Sequence, residues 1–342
     1  MWSFRITKSF SLSPQSITVR KFSFKTAHHW PSLKSYSFRW EFSKHNTHKT
    51  ISRNDRIGIA GLGILGRRIA RGLLNEIKVS IESSPLSVRK HLLSLGASSM
   101  TMLNKHPSEI NATSLENISA LQKSEGFMVY ESNQKLIEKC STLFISVKPN
   151  QVESVCHDIK DSVKEDDIII SVAAGVNLYH LNKWLPKGKK VRAMPNLPIE
   201  IGHGAVALYS DQTDPEFRKK IESYFKGSTC LWVDEEHKID TATAVSGCAP
   251  AYIGYYLKQM IQSGINLGLT EEEATTLLIP TFIGTSKLLN KFSSQEIIEM
   301  TACKGGATEK AMKIFDQKDL EGIITSVQSS ALNRIKEISR NL

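Results

Sequence analysis

Two glycine-bearing segments carry residue types and spacings that suit chemistry. Near the C-terminus, Thr301-Ala302-Cys303-Lys304-Gly305-Gly306-Ala307-Thr308 runs straight into a helical pattern over 309–315. A glycine pair lets the backbone turn so that several N–H groups converge where the helix starts. Those unpaired donors and the helix dipole both favour negative charge, so a carboxylate can dock there with the Thr308 hydroxyl beside it. The plain alternative is an ordinary capped helix. Toward the N-terminus, Gly61-Leu62-Gly63-Ile64-Leu65-Gly66 has the G-x-G-x-x-G spacing of a dinucleotide-binding turn. There the first glycine allows the tight turn, the second lets backbone approach a pyrophosphate, and the third packs helix against strand.

These segments need elements to position them. Residues 56–60 form a short apolar strand before the glycines, and 67–74 carry apolar residues at helical spacing after them. A second strand at 78–81 ends in Glu82-Ser83-Ser84-Pro85, the end that reaches an adenosine ribose. Glu82 accepting from a 2′-hydroxyl favours NAD, whereas Ser83, Ser84 and Arg89 around a 2′-phosphate favour NADP. Both NADPH and NADH stay open. The polar stretch at about 98–125 reads as a surface insertion. A strand at 127–130 and a helix at 133–139 follow. The apolar run 142–147 is a buried parallel strand ending in Lys148-Pro149, at the sheet edge where ligands bind in such folds. Another at 168–172 ends in Ala173-Ala174-Gly175, whose small side chains leave room for a nicotinamide ring. Residues 191–194 lead to the rigid turn Pro195-Asn196-Leu197-Pro198. Beyond about 212 the pattern is helical: 215–225, a helix beginning at 236, 251–267, one capped by Thr270 and running toward Leu289, and two following Gln295 and Thr308.

The chain has 342 residues, enough for two domains with a sizeable core. Its 40% hydrophobic and 23% charged residues are those of a soluble globular protein, and no apolar run is long enough to span a membrane. The net charge of +10 is uneven: residues 1–55 hold ten Lys/Arg against Glu41 and Asp55, so eight of those charges lie there. The nearly neutral remainder argues against nucleic-acid binding. Serine-rich and free of acidic residues before Glu41, residues 1–55 read as a transit peptide, mitochondrial first, with plastid and a cytoplasmic basic extension as alternatives. Cys140, Cys156, Cys230, Cys248 and Cys303 show no metal or disulfide spacing and read as reduced thiols. No metal site is expected, and Cys303, without a neighbouring histidine, is assigned to packing rather than to nucleophilic chemistry.

Taken together the segments resemble the pyrroline-5-carboxylate reductase family. Val191-Arg192-Ala193-Met194-Pro195-Asn196-Leu197-Pro198 is similar to its V-R-x-M-P-N-T-P, Ser246-Gly247-Cys248-Ala249-Pro250-Ala251-Tyr252 to its S-G-S-G-P-A-Y, and Cys303-Lys304-Gly305-Gly306-Ala307-Thr308 to its S-P-G-G-x-T or S-K-G-G-x-T. The resemblance runs from about residue 56 to the end, with these blocks in the family's order. It implies an α/β N-terminal Rossmann-like domain over 56–211, then an all-α C-terminal dimerisation domain over 212–342. It implies a homodimer, also seen as a pentamer of dimers, with each active site between one subunit's cofactor domain and helices that include the partner's. The implied reaction is NAD(P)H-dependent reduction of 1-pyrroline-5-carboxylate to L-proline, in which the nicotinamide delivers hydride to the imine carbon.

In that reading Thr308 is the catalytic hydrogen-bond donor to the imine nitrogen, and Cys303, Gly305, Gly306, Ala307 and Thr308 hold the substrate carboxylate. Gly61, Gly63, Ile64, Leu65 and Gly66 meet the pyrophosphate. Ser83, Ser84 and Asn133 contact the adenosine side, while Val147, Lys148, Pro149, Ala173, Ala174 and Asn196 line the nicotinamide end. Cys303 replaces a usual Ser or Thr, Leu197 a threonine, and Cys248 and Ala249 a Ser and a Gly. Glu82 stands where small residues are usual. These departures keep two further readings open: an oxidoreductase of the same fold acting on another imine or carbonyl, and a non-catalytic dinucleotide-binding protein.

Overall fold

A computed structural model describes residues 57–61, 66, 68, 69 and 132–342. The segment 1–55, Gly63, Ile64, Leu65, the expected strands at 78–81 and 127–130, Glu82, Ser83, Ser84, Arg89 and the 98–125 stretch lie outside the described residues. In chain order the first elements are β1 (Ile57–Ala60), α1 (Asn133–Lys139), β2 (Thr142–Ile145), α2 (Pro149–Ile159), β3 (Ile168–Ser171) and α3 (Leu178–Trp184). Then come β4 (Lys189–Pro195), a 3-10 turn (Leu197–Ile201), β5 (Ala205–Tyr209), α4 (Pro215–Ser223) and β6 (Thr229–Trp232). The strands form a sheet in the order β1-β2-β3-β4-β5-β6. The first four are parallel, with Ile59 beside Phe144 and Phe144 beside Ile170. β5 runs antiparallel to β4, and β6 parallel to β5.

Period-two alternation divides the strand side chains between two apolar layers. Phe144, Ile168, Ile170 and Val191 point to the face covered by Phe217 and Ile221 of α4. Leu143, Ile145 and Ile169 point to the other, under Leu136, Val152, Ile159 and Leu181 of α1, α2 and α3. Strands buried on both faces read as unbroken apolar runs, which is why β2 and β3 were legible. Side-chain caps start the covering helices: Ser132 accepts from the Lys135 N–H at 3.2 Å, and Asp214 from the Phe217 N–H at 2.8 Å.

The all-helical reading from 212 onward is corrected by β6, which joins the sheet, while the expected helix α4 packs on the sheet; the wholly helical region begins at His237. β6 escaped notice because it is a four-residue edge strand with every second residue exposed, Leu231 among them. So short an alternation leaves little periodic signal.

The helical region comprises α5 (His237–Ala242), a π-helical turn (Thr243–Gly247), α6 (Ala249–Asn266), α7 (Glu271–Leu288), α8 (Ser294–Thr301), α9 (Ala307–Gln317) and α10 (Leu320–Arg340). Thr270 caps α7 as expected, in a reciprocal box: its hydroxyl accepts from the Glu273 N–H at 3.2 Å, and its own N–H donates to Glu273 Oε2 at 2.8 Å. Where the pattern suggested two helices after Gln295 and Thr308 there are three. Asp319, in the left-handed region at φ 49°, ends one helix and caps the next by accepting the Gly322 N–H at 3.0 Å. α5 packs on β4 and β5, α6 against α7, and α9 against α10.

Candidate active site

The glycine turn is wedged against the end of β2. Gly61 has φ 98°, and a Cβ there would stand 2.7 Å from Val147 Cγ1 and 2.9 Å from the Val147 nitrogen. A Cβ on Gly66 would collide with the Gly61 carbonyl and with Ser146 Oγ. No other residue fits either position. Ser146 donates its backbone N–H to the Ala60 carbonyl at 2.8 Å, and its hydroxyl to the Gly61 carbonyl. The turn is thereby held at the C-terminal edge of the parallel strands, the edge at which such sheets bind dinucleotides.

A nicotinamide dinucleotide fits this cradle. Both described glycines are at positions that a side chain would fill. Asn133 supplies a second observation: it is 3% exposed, its Nδ2 donates to Asp158 Oδ2 at 3.2 Å, and its Oδ1 has no partner among the described residues. A buried amide oxygen without a donor carries a desolvation cost that a ribose hydroxyl would remove. Asn133 opens α1, which packs beside β1.

The residues expected at the nicotinamide end fall into three kinds. Lys148 is exposed and precedes Pro149, the first residue of α2, so both lie on the open edge. Val147 and Ala173 are buried in the α1–α3 layer, and Ala174 packs toward Met194, Ala207 and Ile239. Their contribution to a ligand is backbone and shape. Asn196, also expected at the cofactor, has its side chain engaged within the protein. Oδ1 accepts the Ala205 N–H at 2.9 Å, closing the β4–β5 connection, and Nδ2 lies 3.4 Å from Ser246 Oγ in the π turn. A short polar side chain beside a turn satisfies backbone groups readily, which spacing alone does not reveal.

The glycine turn expected before the C-terminal helical pattern lies at the start of α9, and the N–H groups of both glycines are engaged within it. Gly305 takes φ 79°, Gly306 is the N-cap with no side-chain cap, and its N–H donates to the Cys303 carbonyl at 2.9 Å. Ala307 and Thr308 then present first-turn N–H groups, which no intrahelical carbonyl can reach. Thr308 is half-buried and Cys303 exposed, so the packing role expected of Cys303 is not met within its own chain. Glu309, which the spacing did not single out, reaches back to accept the Gly305 N–H at 2.7 Å and lies 3.3 Å from Lys313. The Gly305 N–H and then Lys313 hold its carboxyl below the usual glutamate range. A glutamate three residues past an N-cap was the available signal.

Gly61, Gly66 and Val147 are thus brought together, and Val147 and Ala173 share one apolar layer. Among the described residues, Thr308 is not joined to them: α9 packs on α10 and has no substantial contact with the sheet. α10 itself does return, so that a Cβ on Gly175 (φ 76°) would stand 3.0 Å from the Ile335 carbonyl and 3.1 Å from Ile338 Cγ2. Sequence reasoning missed Ser146 and the ion cluster of Arg192, Glu236 and Asp240. The guanidinium of Arg192, 3% exposed, contacts Glu236 Oε1 at 3.1 Å and Asp240 Oδ1 at 2.7 Å. An arginine inside an apolar strand was its trace in the sequence.

Comparison with known proteins matches two family profiles. One, described as pyrroline-5-carboxylate reductase dimerisation, covers residues 236–338. The other, described as NADP oxidoreductase coenzyme F420-dependent, covers residues 56–175. The chain is 30% identical over 219 residues to a pyrroline-5-carboxylate reductase of Pseudomonas aeruginosa, covering 63% of this chain and 80% of that protein. It is 28% identical over 214 residues to that of Pasteurella multocida, covering 60% and 78%. Among solved structures, a pyrroline-5-carboxylate reductase from Coxiella burnetii superposes with TM-score 0.69 at 26% identity, covering 84% of this chain and 99% of that one. A Plasmodium falciparum pyrroline carboxylate reductase with NADP bound has the same fold, with TM-score 0.66, 23% identity, and coverage of 84% and 99%.

Proposed function

The chain belongs to the pyrroline-5-carboxylate reductase family, and from that premise we propose that it reduces 1-pyrroline-5-carboxylate to L-proline, the last step of proline biosynthesis, using NADPH or NADH. One observation carries the reading: a single chain holds both a glycine turn that only backbone can fill and a separate, glycine-capped helix start bearing Thr308. The first suits a dinucleotide and the second a small carboxylate beside a hydroxyl donor. When bound, the nicotinamide cofactor supplies the hydride for the imine carbon.

The protein's residues do the rest. Gly61, Gly66 and Ser146 keep the pyrophosphate turn open, and the Asn133 amide oxygen accepts from the adenosine-side ribose. The N–H groups of Ala307 and Thr308 hold the substrate carboxylate, which fixes where the ring sits. The Thr308 hydroxyl donates to the imine nitrogen, offsetting the negative charge that builds there as hydride reaches the carbon, and the proton that nitrogen then takes comes from water. Because α9 has no substantial contact with the described strands of its own chain, the cradle serves the sheet edge of a second subunit in a homodimer. We further propose that dimers assemble into a pentamer of dimers, and that the basic, serine-rich residues 1–55 direct the protein to mitochondria.

The direct test is oxidation of NADPH and NADH by residues 56–342 with 1-pyrroline-5-carboxylate supplied. Proline formation matching cofactor oxidation is expected; oxidation that does not depend on the pyrroline overturns the reading. Sedimentation gives the assembly, and imaging of residues 1–55 fused to a fluorescent protein gives the destination.

A further inference from the structure

We infer that Glu236 is a positioning residue for the nicotinamide end of the site, acting through the loop that follows β3. This rests on the dinucleotide-binding reading above. The loop Ala173–Asn177 leads into α3, whose first N–H, on Leu178, has no intrahelical acceptor. Glu236 Oε1 accepts that N–H at 2.6 Å, a charge-assisted bond at a helix N-terminus. The same oxygen lies 3.1 Å from Arg192 Nη1, and the other arm of that guanidinium lies 2.7 Å from Asp240. Glu236 directly precedes α5, the first element of the helical region. One carboxylate therefore ties together the loop after β3, the buried arginine of β4, and the start of the helices.

The loop is held from a second side as well. Gly175 has φ 76°, and α10 passes so close that a Cβ there would stand 3.0 Å from the Ile335 carbonyl and 3.2 Å from the Ser339 nitrogen. Asn177 caps α3 by accepting the His180 N–H at 2.9 Å, so the helix start is rigid once Leu178 is held. The nicotinamide-end loop is in this way set by the helical region, while the pyrophosphate turn at Gly61 and Gly66 and the adenosine side at Asn133 rest on β1, β2 and α1. Loosening Glu236 should weaken one half of the dinucleotide site and spare the other.

The test uses the assembled enzyme with two variants, Glu236→Gln and Glu236→Asp. The second keeps the charge that Arg192 needs and shortens the reach to Leu178, so it guards against a failure to fold. Fluorescence titration with NADPH and calorimetric titration with 2′,5′-ADP read the whole site and its adenosine half. The expected result is a Kd for NADPH raised about tenfold in both variants. The Kd for 2′,5′-ADP and the sedimentation coefficient should stay as in the parent. An unchanged NADPH Kd, or equal weakening of both ligands, overturns the inference. The parent's turnover of 1-pyrroline-5-carboxylate, measured separately, tests the proposed function, so the two can fail independently.

Discussion

The two halves of this chain bury their apolar residues in opposite ways. In the sheet region every residue of β2 and β3 is buried, and three helices close one face while α4 closes the other. In the helical region α6, α8 and α9 bury no residue, α7 buries Ala274 and α10 buries Ile335. Ile253, Leu277, Ile283 and Ile323 are each more than half exposed in the isolated subunit. Large apolar side chains exposed in that number suit an interaction face. The sheet region makes its core from its own chain, whereas the helices leave apolar side chains exposed that suit packing on a second copy, in line with the dimerisation profile matched over 236–338.

The largest expected effects test that contrast directly. Ile283→Asp places a charge on the exposed face and should convert the dimer to monomers in sedimentation, with turnover lowered by about two orders of magnitude or more. Phe144→Ala, in the sheet core, should cost about 3–5 kcal/mol in chemical denaturation without changing the subunit count. A dimeric, active Ile283→Asp protein would put the interface elsewhere.

Next in size is Thr308→Ala, expected to lower kcat about 100-fold with an unchanged melting temperature. Full turnover in that variant would remove the donor role. Gly61→Ala should raise the NADPH Kd about tenfold, because alanine is strained at φ 98° and its Cβ meets Val147. Mixing the two variants sharpens the comparison: a site built across subunits yields heterodimers with one intact site, so activity should return on mixing. No recovery would place both halves of the site in one chain.

The smallest effect is at the helix starts. Glu273 and Glu296 accept backbone N–H groups from Thr270 and Ser293, which hold both carboxyls below the ordinary glutamate value. A depressed folded-state pKa contributes stability above the unfolded value that is lost as pH falls through the folded one. Faster amide exchange at the starts of α7 and α8 is therefore expected below about pH 4, with α6 unaffected. Thr270→Ala should produce the same local loosening at neutral pH, at a cost of about 1 kcal/mol.

What was legible in the sequence follows from range. β2 and β3 are buried on both faces, so their apolar runs identify them without reference to any neighbour. The Thr270 cap and the Gly305–Gly306 turn depend on residues at most four positions apart, and both formed as read. β6 was missed because its partner, β5, lies some twenty residues upstream and its own four residues alternate in exposure. Asn196 was assigned to the cofactor because its type and place suited that role, yet its amide is engaged by Ala205 and Ser246. The Arg192–Glu236–Asp240 cluster spans more than forty positions, beyond any local pattern.

The sequence by itself determined the local chemistry: which glycines turn, which runs bury, where helices start, and which family the ordered blocks resemble. Those properties depend on backbone sterics and on hydrogen bonds within a few residues. Tertiary structure alone decided that Ser146 locks the glycine turn, that Glu236 ties the loop after β3 to the helices, and that α9 has no substantial contact with the described strands of its own chain. Such facts arise where distant segments meet, since packing and burial are properties of the assembled chain rather than of any stretch within it.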